Sequence, residues 1–259
     1  ETLKEIIAEK VGIVKPGVPC LSAKQERREE KNFCKLVKEA GASLAIEGTD
    51  WSVRKIRKEM AFDSNINGEK TSRNFPLPAL SGSHQLRNAG LAIAALERLP
   101  GFKIHDSSIT LGLKSVQWPA RLQRLKSGPL VDKLPIGWEL WLDGGHNGAA
   151  GKMISKHVRS WRDKPLHMIF GMLNSKNPGD FLGHLEGCLG LFRGIAIPGE
   201  ENSWSAHEVT AVAQSLRMDG DSAESVEAAL EDIIRQKEIA RVIVTGSLYL
   251  AGTILKEND

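Results

Sequence analysis

The stretch Trp138-Glu139-Leu140-Trp141-Leu142-Asp143-Gly144-Gly145-His146-Asn147 decides how the chain is read. Trp138, Leu140 and Leu142 alternate with Glu139 and Trp141, a period of two that predicts a strand with one buried face. The strand runs into an acid, two glycines, a histidine and an asparagine, and residues 148–161 follow with a composition that suits a helix. Strand, glycine-rich turn and helix is how an open α/β sheet presents chemistry at the carboxyl ends of its strands. Asp143 can accept hydrogen bonds from a ribose or an amine, or sit near a metal. Gly144 and Gly145 let backbone approach a ligand closely, and His146 can donate, accept or titrate near neutral pH. Taken alone, the stretch suits equally well an Asp that caps the next helix and a His that merely packs.

Working outward, the pattern downstream is regular. Apolar segments at 166–170, 191–197 and 241–245 predict further strands, alternating with helices near 177–187, 205–217, 222–237 and 247–256. Repeated βα units of this kind predict a doubly wound α/β sheet with helices on both faces. Upstream the pattern is looser. Residues 2–9 form an amphipathic helix closed by Lys10 and Gly12, and 13–14 and 18–21 read as short extended pieces. A charged helix over 22–40 takes Ser22 as N-cap and turns Phe33, Leu36 and Val37 inward. Its mixed-sign run over 24–31 is a solvated face. A strand at 43–46 is followed by a polar, turn-rich region over 51–78, with short strands or a hairpin about Asn67-Gly68. Helices follow over 80–99, with Ser83 as N-cap, and over 107–116. Pro119 interrupts the pattern in Gln117-Trp118-Pro119-Ala120-Arg121. The boundary falls there, giving domains 1–116 and 117–259.

The bulk composition excludes several classes. With 259 residues, 41% hydrophobic and 26% charged, the chain is a globular protein of one large or two ordinary domains. A formal charge of +3 implies neither nucleic acid nor anionic membrane but admits an anionic small substrate. Cys20, Cys34 and Cys188 are scattered, which suits a reducing cytoplasm and gives no disulfide framework. The chain begins at Glu1 inside what reads as a helix, so a preceding segment is expected.

The common catalytic signatures are missing from the sequence. There is no Gly-x-x-x-x-Gly-Lys-[Ser/Thr] phosphate cradle, no Gly-x-Gly-x-x-Gly after a strand, no His-Glu-x-x-His, no Cys pair and no Gly-x-Ser-x-Gly. What remains is a set of polar residues at element ends: Lys10, His84, Gln85, Asn88, Arg121, Asp143, His146, Lys176 and Ser247. Each has an ordinary alternative. Arg121 can be a surface cation stacked beside Trp118, Ser247 a cap for the last helix, and Asn88 a partner for nearby backbone.

Their order and spacing say more than any one of them. Glu9-Lys10-Val11-Gly12-Ile13, Gly82-x-His84-Gln85-x-x-Asn88-Ala89, Gly112-Leu113, Trp118-Pro119-Ala120-Arg121, Leu142-Asp143-Gly144-Gly145-His146-Asn147, Phe170-Gly171-Met172 and Val244-Thr245-Gly246-Ser247-Leu248-Tyr249 together resemble the folylpolyglutamate synthase and dihydrofolate synthase family. That family belongs with the Mur-type amino-acid ligases. The resemblance covers essentially the whole chain but only the later part of the family's length.

The resemblance implies a fold: the tail of a Mur-ligase-type ATPase domain (1–116), then a doubly wound, mostly parallel, Rossmann-like α/β domain (117–259). It also implies an activity, the ATP-dependent addition of L-glutamate to a folate or dihydropteroate carboxylate through an acyl phosphate. ATP and Mg²⁺ are the implied cofactors, with the P-loop and most magnesium ligands upstream of Glu1, so the chain alone is expected to be inactive. By position, Asn88, Arg121 and Asp143 resemble nucleotide contacts. Lys10 matches a lysine that is carbamylated in the family, where CO₂ capture turns it into an anionic oxygen ligand suited to Mg²⁺. His146 resembles a catalytic or glutamate-binding residue, and Ser247 and Lys176 resemble substrate contacts. Three departures stand out. Ala120 and Gly145 occupy positions where the family has Gly and Ala, and Asn174-Ser175-Lys176 replaces Asp-Lys. The implied partners are small molecules only, with no nucleic acid or membrane, for a cytoplasmic monomer. A non-catalytic ligase-like binding module and a muramyl-peptide ligase are the alternatives.

Overall fold

The computed structural model describes residues 2–25, 27–66, 68–80, 82–236 and 238–258. The chain divides into two compact units, Glu1–Gln117 and Trp118–Asp259. No helix among the described residues is long and apolar enough to cross a membrane.

The first unit opens with helix α1 (Leu3–Val11), started by a capping box in which Thr2 accepts from the Glu5 N–H and the Glu5 carboxylate accepts from the Thr2 N–H. Strand β1 (Cys20–Ser22), helix α2 (Arg27–Glu39) and strand β2 (Leu44–Ile46) follow, with β1 and β2 paired parallel. Ser22 therefore belongs to a strand and does not cap α2. Its hydroxyl donates to the Ala23 carbonyl, one of the local side-chain-to-backbone bonds that compete with helix formation. Of the residues expected inward on α2, Val37 is fully buried, while Phe33 and Leu36 are half-buried. The turn-rich region forms an antiparallel sheet, β3 (Trp51–Ile56), β4 (Glu59–Ile66) and β5 (Glu69–Pro76). Asn67, expected in the hairpin turn, lies outside the described residues. Helix α3 (Ser83–Glu97) packs on this sheet with α4 (Asp106–Ser115) beside it, and together they bury Trp51, Met60, Phe62, Phe75, Ile93 and Ile109. Gly90 is required there, because a Cβ would sit 2.8 Å from Val53 and 3.0 Å from the Trp51 ring. The N-cap of α3 is Gly82, not Ser83, and the Ser83 side chain lies outside what is described.

The second unit is a six-stranded sheet, built from β6 (Gln123–Leu125), α5 (Pro129–Asp132), β7 (Glu139–Leu142), α6 (Gly148–Val158), β8 (Leu166–Phe170), α7 (Pro178–Leu182), β9 (Leu191–Gly194), α8 (Ala206–Ser215), β10 (Asp219–Ser222), α9 (Val226–Ile234), β11 (Arg241–Thr245) and α10 (Leu248–Asn258). The strand order is β10-β9-β8-β11-β7-β6. All neighbours are parallel except β6, which runs antiparallel to β7. Two strands escaped the sequence pattern. β6 is three residues long, and β10 reads Asp-Gly-Asp-Ser at the sheet edge, too polar and short to signal. The central strands β8 and β11 are buried along their whole length, as a parallel sheet covered on both faces requires. One face packs Leu140, Ile169, Val242 and Val244 against α9 and α10. The other packs Met168, Phe170 and Ile243 against residues of α6, α7 and α8.

The same covering corrects the expected alternation in β7. Glu139 is buried along with Leu140 and Leu142, and Trp141 is only half-covered. The chain leaves β7, skips one place to β8, builds outward to β9 and β10, and returns with β11 into the vacant place. That reversal makes a topological switch point outside the carboxyl ends of β8 and β11.

Candidate functional site

The loops leaving β7, β8 and β11 meet at this switch point. The Asp143 N–H donates to the Val244 carbonyl at 3.0 Å, Gly171 N–H to the Thr245 carbonyl at 3.2 Å, and Gly246 N–H to the Gly145 carbonyl at 3.1 Å. Contacts this close need glycine. Gly246 has φ +111°, and a Cβ there would run into the Gly171 carbonyl and the Phe170 ring. A Cβ on Gly144 would run into Leu248. Gly145 is fitted to its surroundings too: a Cβ would lie 2.8 Å from the Ala150 methyl and 2.8 Å from Asp143 Oδ1. The Ala150 methyl already occupies the space that an alanine at 145 would need.

A fourth loop joins from the amino side. Ala120 and Leu122 both sit in the left-handed region, with φ +56° and +44°, each costing roughly 1–2 kcal/mol for a residue with a Cβ. Hydrogen bonds hold them there. The Ala120 N–H donates to Gln123 Oε1 at 2.8 Å, and the Ala120 carbonyl accepts from Gly144 N–H at 2.9 Å. The Leu122 N–H donates to Asp143 Oδ2 at 2.9 Å. The left-handed backbone at 120 explains why glycine suits that position, and the burial of the Ala120 methyl in the core offsets part of the strain.

Arg121 projects from between these two residues, half-exposed, and forms no ion pair among the described residues. Nor does it stack on Trp118, which is itself exposed. Asp143 is 1% exposed. Besides Leu122, its carboxylate accepts from the Gly145 N–H at 2.7 Å. The helix cap is supplied by Asn147, whose side chain accepts from the Ala150 N–H, so Asp143 is not the cap of α6. His146 Nδ1 lies 3.0 Å from the Gly144 carbonyl. A carbonyl can only accept, so Nδ1 carries a proton, and in the neutral ring Nε2 is the nitrogen with the lone pair.

Ser247 is buried, and its hydroxyl oxygen accepts from the Tyr249 N–H at 3.0 Å, a local bond that starts α10 and still leaves the hydroxyl proton to donate. Lys176 lies in the loop after β8, exposed and without an ion pair among the described residues, its carbonyl accepting from Trp204 Nε1 at 3.0 Å. The loops thus bring Arg121, Asp143, His146 and Ser247 together. Lys176 shares that end of the sheet, but no hydrogen bond ties it to the others.

The remaining candidates lie in the first unit. Lys10, in the last turn of α1, is paired with Glu9 at 3.0 Å and 69% exposed. Asn88, on the exposed side of α3, donates to Gln85 Oε1 at 3.1 Å. No hydrogen bond joins the two. Among the described residues no group of three or more His, Cys, Asp or Glu is placed to hold a metal ion. One exposed lysine on an ion pair does not make a magnesium site by itself.

No protein-family model matches the chain. Individual proteins do. The folylpolyglutamate synthase of Lacticaseibacillus casei is 23% identical over 261 residues, covering 98% of this chain and 57% of the relative. The dihydrofolate synthetase of Saccharomyces cerevisiae is 27% identical over 279 residues, covering 98% and 61%. The chain is similar to the folylpolyglutamate and dihydrofolate synthases. Its fold is theirs as well: the structure of E. coli FolC in complex with DHPP and ADP superposes with a TM-score of 0.78 at 22% identity, covering 98% of this chain and 56% of that one. The chain therefore spans less than two thirds of the length of these relatives.

Leu122 is the residue that sequence reasoning missed. Its contribution is a main-chain N–H in a left-handed turn, and a leucine gives no signal of that. Gly144 and Gly246, by contrast, were legible as glycines after strands.

Proposed function

We propose that the chain is the carboxy-terminal part of a cytoplasmic, monomeric ATP-dependent ligase that adds L-glutamate to a folate or dihydropteroate carboxylate. Activation as an acyl phosphate, attack by the glutamate amine, and release of ADP and phosphate make up the reaction. The observation that carries this reading is the joining of the 120–122 turn, with Arg121, to the glycine-containing loops that carry Asp143, His146 and Ser247 at the switch point of the sheet, in a chain whose relatives bear the synthase names.

The guanidinium of Arg121, without an ion pair among the described residues, supplies planar donors to a phosphoryl group, where they stabilise the charge that spreads in transfer. Asn88, with an exposed amide, is the residue of helix α3 that suits a nucleotide contact. His146 Nε2 takes a proton from the glutamate ammonium, since only the neutral amine attacks. The Ser247 hydroxyl and the Lys176 ammonium suit the glutamate carboxylates. Lys10 is the lysine that, carrying CO₂ as a carbamate, would offer an oxygen to Mg²⁺. The residues described do not complete that metal site, and no step is assigned to the ion.

The test is an ADP-release assay requiring both substrates. The 259-residue chain alone is expected to show no turnover, since it has no phosphate-cradling glycine loop, and the full-length protein to turn over dihydropteroate or folate with glutamate. In that protein Arg121→Lys keeps the charge but loses the fork, and should lower turnover about 10-fold or more. Lys10→Ala should be inactive and regain activity with short carboxylic acids. A full-length protein that ligates neither substrate, or an Arg121→Lys variant with normal rates, would overturn the assignment.

A further inference from the structure

We infer that Trp204 is a positioning residue for Lys176: its indole N–H holds the Lys176 main chain and so sets where the ammonium meets the incoming glutamate. For its functional half the inference rests on the glutamate role of Lys176 proposed above. The geometry stands by itself.

Lys176 sits in a loop that is fixed on both sides. On one side the loops after β8 and β9 run together as a short ladder. Leu173 pairs antiparallel with Ser203, the Asn174 N–H donates to the Asn202 carbonyl at 2.7 Å, and the Trp204 N–H donates to the Met172 carbonyl at 2.9 Å. On the other side Asn177 caps α7, its side chain accepting from the Gly179 N–H at 2.9 Å. Between these anchors the Lys176 N–H closes a turn on the Leu173 carbonyl at 3.1 Å. The Lys176 carbonyl accepts from Trp204 Nε1 at 3.0 Å. The indole thus reaches across from the neighbouring loop to the residue that carries the ammonium.

Trp204 is itself held. The Ser203 hydroxyl accepts from the Ile197 N–H at 2.9 Å and donates to the Trp204 carbonyl at 2.8 Å. Ser205, the next residue, starts α8 with a capping box. The half-buried Trp204 ring packs against the cluster that includes Met172, Phe181 and Val209. An indole has one donor and no acceptor, so an anchored ring serves to aim that N–H at a carbonyl. A lysine side chain has wide rotamer freedom, and fixing its main chain narrows the volume that the ammonium searches. Without the indole bond the Lys176 carbonyl turns to water, and the ammonium is less often where a carboxylate arrives. Glutamate binding should weaken while the chemical step is left alone.

Two experiments test this. In the present chain, followed by NMR, the Trp204 indole N–H should exchange at least about 10-fold slower than that of the exposed Trp118. In Trp204→Phe, which keeps the packed ring and removes the donor, the Lys176 amide should exchange at least about 5-fold faster than in wild type. The Ile169 and Val244 amides of the buried strands should stay slow. The wild-type comparison stands alone if Trp204→Phe fails to fold: equal rates for the two indoles overturn the inference. In the full-length protein, KM for glutamate, KM for ATP and kcat are compared in wild type, Trp204→Phe, Lys176→Met and the double variant. Trp204→Phe should raise KM for glutamate about 5-fold, with kcat and KM for ATP within about 2-fold of wild type. Once Lys176 is Met, the same change should move KM for glutamate by less than about 2-fold. A general loosening of the fold would move kcat and both KM values together and would persist without Lys176. That result overturns the inference, as does a normal KM for glutamate in Trp204→Phe. A normal KM for glutamate in Lys176→Met, or a protein that ligates no glutamate at all, defeats instead the reading on which the functional half rests, and the exchange rates decide the main-chain hold separately.

Discussion

Strand β7 has a buried carboxylate at each end, and the two are held in opposite ways. At the amino end Glu139 is surrounded by side-chain donors. Arg241 Nε donates to it at 2.7 Å, Lys164 Nζ at 2.9 Å and Trp141 Nε1 at 3.1 Å. Arg241 in turn grips Asp163 at 2.8 and 2.9 Å and lies over the Trp161 ring. Four residues later, Asp143 is held by main-chain N–H groups of two loops. A carboxylate paired with cations consumes their charge and locks strand to strand. One satisfied by backbone amides leaves nearby cations, Arg121 among them, available for an anionic ligand. The closed network marks the structural end of the sheet, and the amide-held acid marks the end where chemistry is placed.

The sharpest way to break this contrast is at Glu139. Replacing it with Gln leaves the buried Arg241 short of its anion, and should cost about 3 kcal/mol of unfolding free energy in urea titrations. Burial works against the Glu139 carboxylate, but Lys164, Arg241 and Trp141 outweigh it and hold its pKa at about 2. A depressed pKa contributes stability above the unfolded value near 4.5 that is lost as pH falls toward 2. Burial also lowers the pKa of His157 and His167, so acid weakens the fold at these sites in the same sense. Stability should therefore fall steeply between about pH 5 and 2 in wild type and less steeply in Glu139→Gln. A variant as stable as wild type, with the same acid slope, would remove Glu139 from this role.

Next in size is Gly246→Ala, which meets the Gly171 carbonyl at a positive φ. A loss of about 2 kcal/mol is expected by thermal unfolding, and a loss below about 0.5 kcal/mol would mean that the loops are looser than described. Asp143→Asn removes one of the main-chain hydrogen bonds to the carboxylate and should cost roughly 1–2 kcal/mol, less than Glu139→Gln, while harming turnover of the full-length protein more. The reverse ranking in either measurement would erase the distinction between the two ends. The smallest effect is expected for Ala120→Gly. Relief of the left-handed strain is offset by the lost methyl burial and a freer unfolded chain, so the change should stay within about 1 kcal/mol of zero. A larger loss would show that the methyl, not the turn, governs that position.

Strand β7 was legible from its alternation, and β8 and β11 because buried parallel strands are near-continuous apolar runs. The glycines after them were legible because tight approach leaves no other choice. β6, β10 and the start of α2 were not, since three- and four-residue strands at an edge carry no periodicity, and local bonding by Ser22 imitates a cap. The candidate residues Arg121, Asp143, His146 and Ser247 could be named from ordered motifs, but not how each is used.

By itself the sequence determined the class of fold, the order of its motifs and the set of polar residues at strand ends, because these follow from local periodicity and residue type. Only the tertiary structure decided that Glu139 is buried, that Asn147 caps α6, and that Asp143 spends both oxygens on backbone amides 2 and 21 residues away. Those outcomes depend on which donors the strand order brings within 3 Å of a carboxylate, and that distance is set by packing across the sheet, not by neighbours along the chain.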